Sequence, residues 1–238
     1  MKNIIYSIFF IFSLLFSFQA RANEKKSWWL FEIKGGKFVP EIDSEFGGNA
    51  TPFSDIFGKD GSIVYKSEVD FLLLDFFGSL YAGFETGFYF VSGKALDEDG
   101  EASSDETDLY LLPSALKLVY RFDWLDKKWK IPLIPYGKAG INYTLWWITQ
   151  GDGSIATWEP EGGGKASGGT MGYEFTLGVS LILDFFDRKA AHNLEVETGI
   201  TKTCIFAEYT WSTADNFGSG KTLYLGDQYW MFGMSFSF

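Results

Sequence analysis

The chain ends in Trp230-Met231-Phe232-Gly233-Met234-Ser235-Phe236-Ser237-Phe238, and every second residue of this stretch is large and apolar. The alternate series is Trp230, Phe232, Met234, Phe236 and Phe238. The positions between them are mostly small or polar. Side chains alternate between the two faces of a β-strand, whereas a helix repeats every 3.6 residues. The stretch therefore predicts a terminal strand with two different faces.

The same alternation predicts seven more strands upstream. We place the eight strands at about 27–40, 62–74, 79–94, 107–122, 133–150, 169–183, 194–211 and 222–238. The alternation slips at 202–204, which predicts a β-bulge there. An aromatic content of 19% without a helix-length apolar run in the mature chain argues against helical membrane spans. The pattern predicts an all-β, eight-stranded antiparallel up-and-down transmembrane barrel, with short turns at one end and longer loops at the other.

The first 22 residues have the features of a secretory signal peptide. Lys2 precedes a mostly apolar run from Ile4 to Phe18, and Ala20-Arg21-Ala22 is a small-x-small cleavage site. The run is shorter than the roughly 20 residues that span a bilayer. We therefore expect a signal peptide at 1–22, cleaved after Ala22, and a barrel over residues 23–238.

Charge and rare residues restrict the function classes. The expected mature chain has 18 basic and 31 acidic residues, which argues against a nucleic-acid partner. Cys204 and His192 are the single cysteine and histidine of the chain. One cysteine supports neither a disulfide framework nor a thiolate metal site. We predict no cofactor and no metal site.

Which face points inward decides the chemistry of the barrel, and alternation alone does not distinguish an apolar interior from an apolar exterior. The polar faces carry mixed charges rather than the small polar residues of a solvated surface. We predict that these charges form a paired network inside the lumen: Glu32, Lys34, Lys66, Glu68, Asp70, Glu85, Lys117, Arg121, Lys138, Glu174, Glu195 and Glu197. Eight strands enclose a space just wide enough for side chains, so the network predicts a plugged barrel.

Two loops suggest ligand sites on first inspection. The acidic loop 95–106 carries oxygen ligands suited to Ca²⁺ or Mg²⁺, but it lacks the spacing of an EF-hand, and a solvated surface loop is the simpler interpretation. The same loop has a further interpretation, in which divalent cations bridge it to lipopolysaccharide phosphates. The glycine-rich segment 162–169 resembles a phosphate-binding loop, but Lys165 is followed by Ala166 instead of Ser or Thr.

An enzyme needs a base near its nucleophile, most often histidine. His192 falls in the predicted connection 184–193, on the short-turn side. The predicted partners Lys117, Arg121 and Lys138 give the lumen carboxylates a structural role. We predict no catalytic residues.

The chain resembles the small eight-stranded outer-membrane β-barrels of the OmpA/OmpX/OmpW-like type. The terminal strand with its final aromatic resembles the insertion signal of that class, which implies recognition by the barrel-assembly machinery and contact with outer-membrane lipid and lipopolysaccharide. More closely, it is similar to a group of uncharacterised myxobacterial-type barrels. That similarity is carried by Trp28-Trp29-Leu30-Phe31-Glu32, by Leu133-Ile134-Pro135-Tyr136-Gly137-Lys138-Ala139-Gly140, and by Leu183-Asp184-Phe185-Phe186-Asp187 with Ala190-Ala191.

The resemblance implies a fold and a bacterial outer-membrane location but no defined activity. Two functions stay open. The favoured one is a non-enzymatic barrel that serves envelope structure or surface interaction. The alternative is a narrow channel or transporter for small solutes, and the two differ in whether a path crosses the lumen.

Overall fold

The protein is a closed, eight-stranded antiparallel β-barrel. The computed structural model describes residues 27–96, 102–157, 163–219 and 223–238. Each strand pairs with its neighbours in the sequence, and β1 also pairs with β8. The strands are β1 Trp29–Phe38, β2 Ser62–Asp75, β3 Ser79–Leu96, β4 Ala102–Arg121, β5 Leu133–Gln150, β6 Ser167–Ile182, β7 Lys202–Ser212 and β8 Asp227–Ser237. The predicted fold class is confirmed.

The two ends of the described chain meet where β1 and β8 close the barrel. The amide of Trp28 donates a hydrogen bond to the carbonyl oxygen of Phe238 over 2.7 Å, and the amide of Phe238 donates to the carbonyl of Trp29 over 2.9 Å. The rings of Trp29 and Phe238 stack with centroids 4.0 Å apart. Closure leaves no unpaired strand edge.

The strand alternation separates an apolar exterior from a largely polar interior. On β4, Leu116 and Leu118 point outward with 59% and 55% of their surface exposed, whereas Lys117 between them is 5% exposed. Outward residues of β6 follow the same rule, with Phe175 at 52% and Leu177 at 61% exposed. An apolar exterior around a charged interior is the arrangement of a transmembrane barrel.

The connections lie at the two ends of the barrel, which we call the closure end and the loop end. The closure end holds the chain termini and the connections 76–78, 122–132 and 183–201, and the loop end holds the connections 39–61, 97–101, 151–166 and 213–226. The predicted sorting by length is wrong for two of them. The connection 183–201 is long because it contains a helix, and 97–101 is short because β3 and β4 extend into the predicted acidic loop 95–106.

Short helices occupy three of the connections. A 3-10 helix, Glu41–Phe46, and α1, Pro52–Phe57, lie between β1 and β2. Helix α2, Trp124–Trp129, lies between β4 and β5, and a 3-10 turn, Leu183–Phe185, precedes α3, Arg188–Thr198. None of the helices in the described ranges is long and apolar enough to cross a membrane.

The predicted start of the seventh strand at Leu194 is wrong. Helix α3 occupies that segment because Asp187 caps its first turn, accepting hydrogen bonds from the amides of Lys189 and Ala190, and Gly199 ends it with a left-handed φ of 79°. Strand β7 begins at Lys202 and pairs with β8 without a register shift through Ser212. The β-bulge predicted at 202–204 is therefore absent from this pairing.

The apolar exterior predicts a strong penalty for a charge at mid-strand. Leu116→Arg should lower the free energy of unfolding from lipid vesicles by about 2–4 kcal/mol, because the guanidinium would replace an apolar group in hydrocarbon. Denaturant titration of the vesicle-inserted barrel measures this change. Val196→Arg is the matched control, because Val196 is 71% exposed on α3, outside the strands. Equal effects of the two substitutions would contradict a lipid-facing exterior.

Candidate functional site

The inward faces of six strands bring a set of charged side chains together in the lumen. Ten of the twelve residues predicted for the network lie there, each no more than 6% exposed: Glu32, Lys34, Lys66, Glu68, Asp70, Glu85, Lys117, Arg121, Lys138 and Glu174. Because the alternation on each strand is unbroken at these positions, all ten point to the same side of the sheet.

Lys34 lies at the centre of this charged layer. Its Nζ is 2.6 Å from Glu68 Oε2, 2.7 Å from Glu85 Oε2 and 2.8 Å from Glu208 Oε1. Glu32 Oε2 is a fourth carboxylate oxygen, at 3.6 Å. One ammonium group with three donors thus contacts glutamates from four strands, β1, β2, β3 and β7.

Two more lysines extend the network on either side of Lys34. Lys138 Nζ is 2.5 Å from Glu32 Oε2 and 2.8 Å from Glu68 Oε2. Lys117 Nζ is 2.6 Å from Glu85 Oε2 and also pairs with Glu174. The shared glutamates make the layer one continuous network.

Lys66 and Arg121 complete the layer at opposite ends. Lys66 Nζ donates to Glu85 Oε1 over 2.7 Å. Arg121 Nη1 donates to Glu32 Oε1 over 3.3 Å, and its Nη2 donates to Ser180 Oγ over 3.1 Å. Its guanidinium carbon lies 5.2 Å from the ring centre of Tyr136, a cation–π distance.

Two of the predicted network residues, Glu195 and Glu197, do not lie in the lumen. Both are on α3, which is outside the barrel wall, and α3 has no buried residue. Their place is taken by Glu208 of β7, which is 1% exposed and accepts a hydrogen bond from the Tyr136 hydroxyl over 2.9 Å. The sequence carried the signal for this correction, since Asp187 and Gly199 bracket a helix and Glu208 is in phase with a strand that begins after it.

An apolar plug fills the lumen between the charged layer and the loop end. Its buried residues come from the strands and from the loops: Phe38, Ile42, Phe53, Val64, Tyr89, Val91, Leu109, Leu111, Ala214, Leu225, Tyr229 and Met231. Asp43 fixes α1 over the barrel mouth, because its Oδ1 accepts from the amide of Phe53 over 2.7 Å and its Oδ2 accepts from Ser54 Oγ over 2.6 Å. Partial loss of hydration, together with the negative charge of Asp227, raises the pKa of Glu41, whose side chain stays exposed to solvent.

The space left inside the described lumen is small. A cavity of about 20 Å³ lies between the apolar plug and the charged layer, lined on its polar side by Lys66, Glu85, Asn142 and Glu174. That volume accommodates about one water molecule. At this level of the lumen the described side chains therefore leave almost no free space.

The single histidine and the single cysteine of the chain are not part of the charged layer. His192 is on α3 and exposed to solvent, and Cys204 is buried near the closure end. No group of three or more His, Cys, Asp or Glu side chains in these ranges is arranged to hold a metal ion. Residues 97–101 of the predicted acidic loop and Gly162 of the glycine-rich segment lie outside the described residues, as does the predicted signal peptide.

The residues of the predicted insertion signal lie on the outward face of β8. Trp230 and Phe232 are 56% and 62% exposed, and Met234, Phe236 and Phe238 are half-buried between neighbouring side chains. Their alternation matches the predicted strand. Recognition of this stretch by the assembly machinery stays a prediction.

Comparison with known proteins returned similarity at the level of fold. No family model matches the chain, and no curated protein matches it. Among solved structures, Neisserial surface protein A has 12% identity and a TM-score of 0.48, with 90% of this chain and 98% of that one covered.

Two further structures cover similar shares. The N-terminal β-barrel domain of Pseudomonas aeruginosa OprF has 14% identity and a TM-score of 0.43, covering 90% of this chain and 98% of that one. The outer membrane protease OmpT from Escherichia coli has 8% identity and a TM-score of 0.35, covering 89% and 94%. These values are too low to transfer an activity to this chain, and the similarity to myxobacterial barrels stays a prediction.

The contacts of Lys34 predict that its loss is costly. Lys34→Met should lower the free energy of unfolding by about 3–5 kcal/mol, because it leaves buried carboxylates without their shared cation. Lys37→Met is the matched control on the same strand, since Lys37 pairs with Asp60 at the surface, with side chains 61% and 97% exposed. We expect no measurable change for the control in denaturant titrations. A Lys34→Met barrel as stable as the parent would contradict the network.

Proposed function

We propose that the chain is an integral barrel of the bacterial outer membrane that conducts no solutes, catalyses no reaction, and serves envelope structure and surface interaction. The observation that carries this proposal is the combination of an apolar exterior with a lumen filled by paired charges and an apolar plug. A barrel of this kind presents two surfaces to its surroundings, the lipid-facing wall and the loop end.

The distribution of aromatic side chains supports a membrane location. At the closure end, Phe76, Phe77 and Trp129 are 98%, 54% and 57% exposed. Toward the loop end, Tyr110 stacks on Trp147 with ring centroids 5.3 Å apart, and Trp211 is 39% exposed. Aromatic rings at both ends of an apolar wall are typical of the two membrane interfaces.

The filled lumen favours the structural function over the transport alternative. Passage of a solute would require the charged layer to separate, and each lysine that moved would leave buried carboxylates behind. The apolar plug is a second barrier in series with the first. The cavity between the two barriers has a volume of about 20 Å³, which is too small for a solute larger than water.

The non-enzymatic part of the proposal is supported by the location of the reactive residues. His192 lies at the closure end on an exposed helix. The described lumen carboxylates are buried, and lysines pair with most of them. The surface function then falls to the loop end.

The loop end is strongly acidic. Its four connections carry 13 acidic and 3 basic residues in the sequence, against 6 acidic and 5 basic residues in the three connections at the closure end. A dense negative charge beside a membrane surface attracts divalent cations. We propose that such cations bridge the loops to the phosphates of lipopolysaccharide.

Conductance tests the proposed absence of a path. The full mature chain, refolded and checked by heat-dependent gel mobility, should give no discrete openings in a planar bilayer, because two barriers fill its lumen. A trimeric general porin in the same bilayer is the positive control. Phe53→Ala, which weakens only the apolar plug, should stay silent because the charged layer remains. Steady openings of the parent barrel would reject the proposal in favour of the transport alternative.

Thermal stability tests the proposed bridging by cations. Mg²⁺ should raise the unfolding temperature of the barrel in vesicles that contain lipopolysaccharide, and EDTA should reverse the rise, because removal of the cation restores repulsion between loop carboxylates and phosphates. Asp105→Asn with Glu106→Gln should reduce the Mg²⁺ effect. Glu197→Gln, at the closure end, is the control and should leave it unchanged. The same rise in phospholipid vesicles would contradict the lipopolysaccharide partner.

A further inference from the structure

The charged layer contains one more acid than base among the described residues. Its acids are Glu32, Glu68, Asp70, Glu85, Glu174 and Glu208, and its bases are Lys34, Lys66, Lys117, Arg121 and Lys138. A full negative charge enclosed without a partner is costly, and such a group takes up a proton or an ion instead. The acid in excess therefore indicates that a proton or an ion is bound in the layer.

Asp70 is the acid without a cation. Each of the other five has a lysine or arginine nitrogen within 4 Å. Asp70 is 0% exposed, has no such ion pair among the described residues, and neither of its oxygens has a hydrogen-bond partner there. An ionised carboxylate in this position would have lost its hydration without gaining a hydrogen bond or an ion pair in exchange.

Another carboxyl group lies beside Asp70. Asp70 and Glu68 are two residues apart on β2, and both side chains are buried on the lumen side of the strand. Both converge on Gly83 of β3, where an added Cβ would collide with Asp70 Oδ1 and lie 3.2 Å from Glu68 Oε1. Glu68 Oε1 also has no donor in the described residues. If both groups were ionised, two hydrogen-bond acceptors would lie side by side without a donor between them.

We propose that Asp70 and Glu68 form a proton-binding site, in which the Asp70 carboxyl group carries a proton and donates it to Glu68 Oε1. The proton comes from solvent as the barrel folds and is returned when it unfolds. The proton gives Glu68 Oε1 its missing donor and gives one Asp70 oxygen a hydrogen-bond partner. It also brings the charge of the described layer to zero. Glu68 Oε2 remains free to accept from Lys34 and Lys138 at 2.6 and 2.8 Å.

The other groups that face Asp70 are consistent with this assignment. Glu32 on β1 adds a second negative charge beside it, and Lys138 on β5 is already shared by Glu32 and Glu68. Tyr81 on β3 faces it from the closure end. Lys138 also pairs with Glu208 at 3.5 Å, so it is engaged by three other acids, and a proton is the simplest remaining partner for Asp70.

Infrared spectroscopy of the complete barrel in detergent tests the site, because a protonated carboxyl group has a carbonyl band that a carboxylate lacks. At neutral pH the parent protein should show the band of one protonated carboxyl group, shifted in D₂O. Asp70→Asn should lose the band while keeping the fold, since the amide replaces the acid O–H as the donor to Glu68. Glu68→Gln should lose it as well, because its amide donates to an ionised Asp70.

Asp60→Asn is the control, since it makes the same substitution at a side chain that is 97% exposed and should retain the band. Absence of the band from the parent protein would overturn the proposal without reference to any variant. Persistence of the band in a folded Asp70→Asn barrel would overturn it as well, because the proton would then belong to another acid. Either result would leave the conductance test unaffected, so this site and the proposed function fail separately.

Discussion

The pairing of buried charges is the constraint on which the rest of the barrel depends. Eight strands enclose too little space for hydrating water, so every inward lysine must find carboxylates on other strands. Lys34 of β1 contacts carboxylates on three other strands, β2, β3 and β7, and this restricts how those strands can shift relative to one another. The outer wall contributes little to this specificity, since apolar side chains facing lipid tolerate one another in many arrangements.

The charged layer and the apolar plug divide the lumen into two chemically different halves. The charged half holds the closure-side portion of the wall together by directional contacts. The apolar half packs four loop residues, Ile42, Phe53, Ala214 and Leu225, against strand residues. This division explains why the loop between β1 and β2 is ordered. Its helix α1 is anchored by Asp43 from outside and by Phe53 from within.

Strand alternation allowed the barrel and ten of the lumen charges to be predicted, because a period of two is local and each strand displays it independently. Glu195 and Glu197 were misplaced because they also alternate with apolar residues, and only the capping residues Asp187 and Gly199 distinguish their helix from a strand. Glu208 was missed as a consequence. The pairing partners were beyond prediction, since which lysine meets which glutamate depends on strand order and stagger around the closed wall.

The seam between β1 and β8 has a consequence for how the chain acquires its structure. Trp29 and Phe238 stack on each other although they lie at opposite ends of the described chain, so closure of the barrel joins its first strand to residues at the end of its last strand. Until that moment both strands expose open edges that invite pairing with other chains. Contacts so distant in sequence form slowly. The barrel therefore cannot close before β8 is available, and its two edge strands need protection from other chains until then.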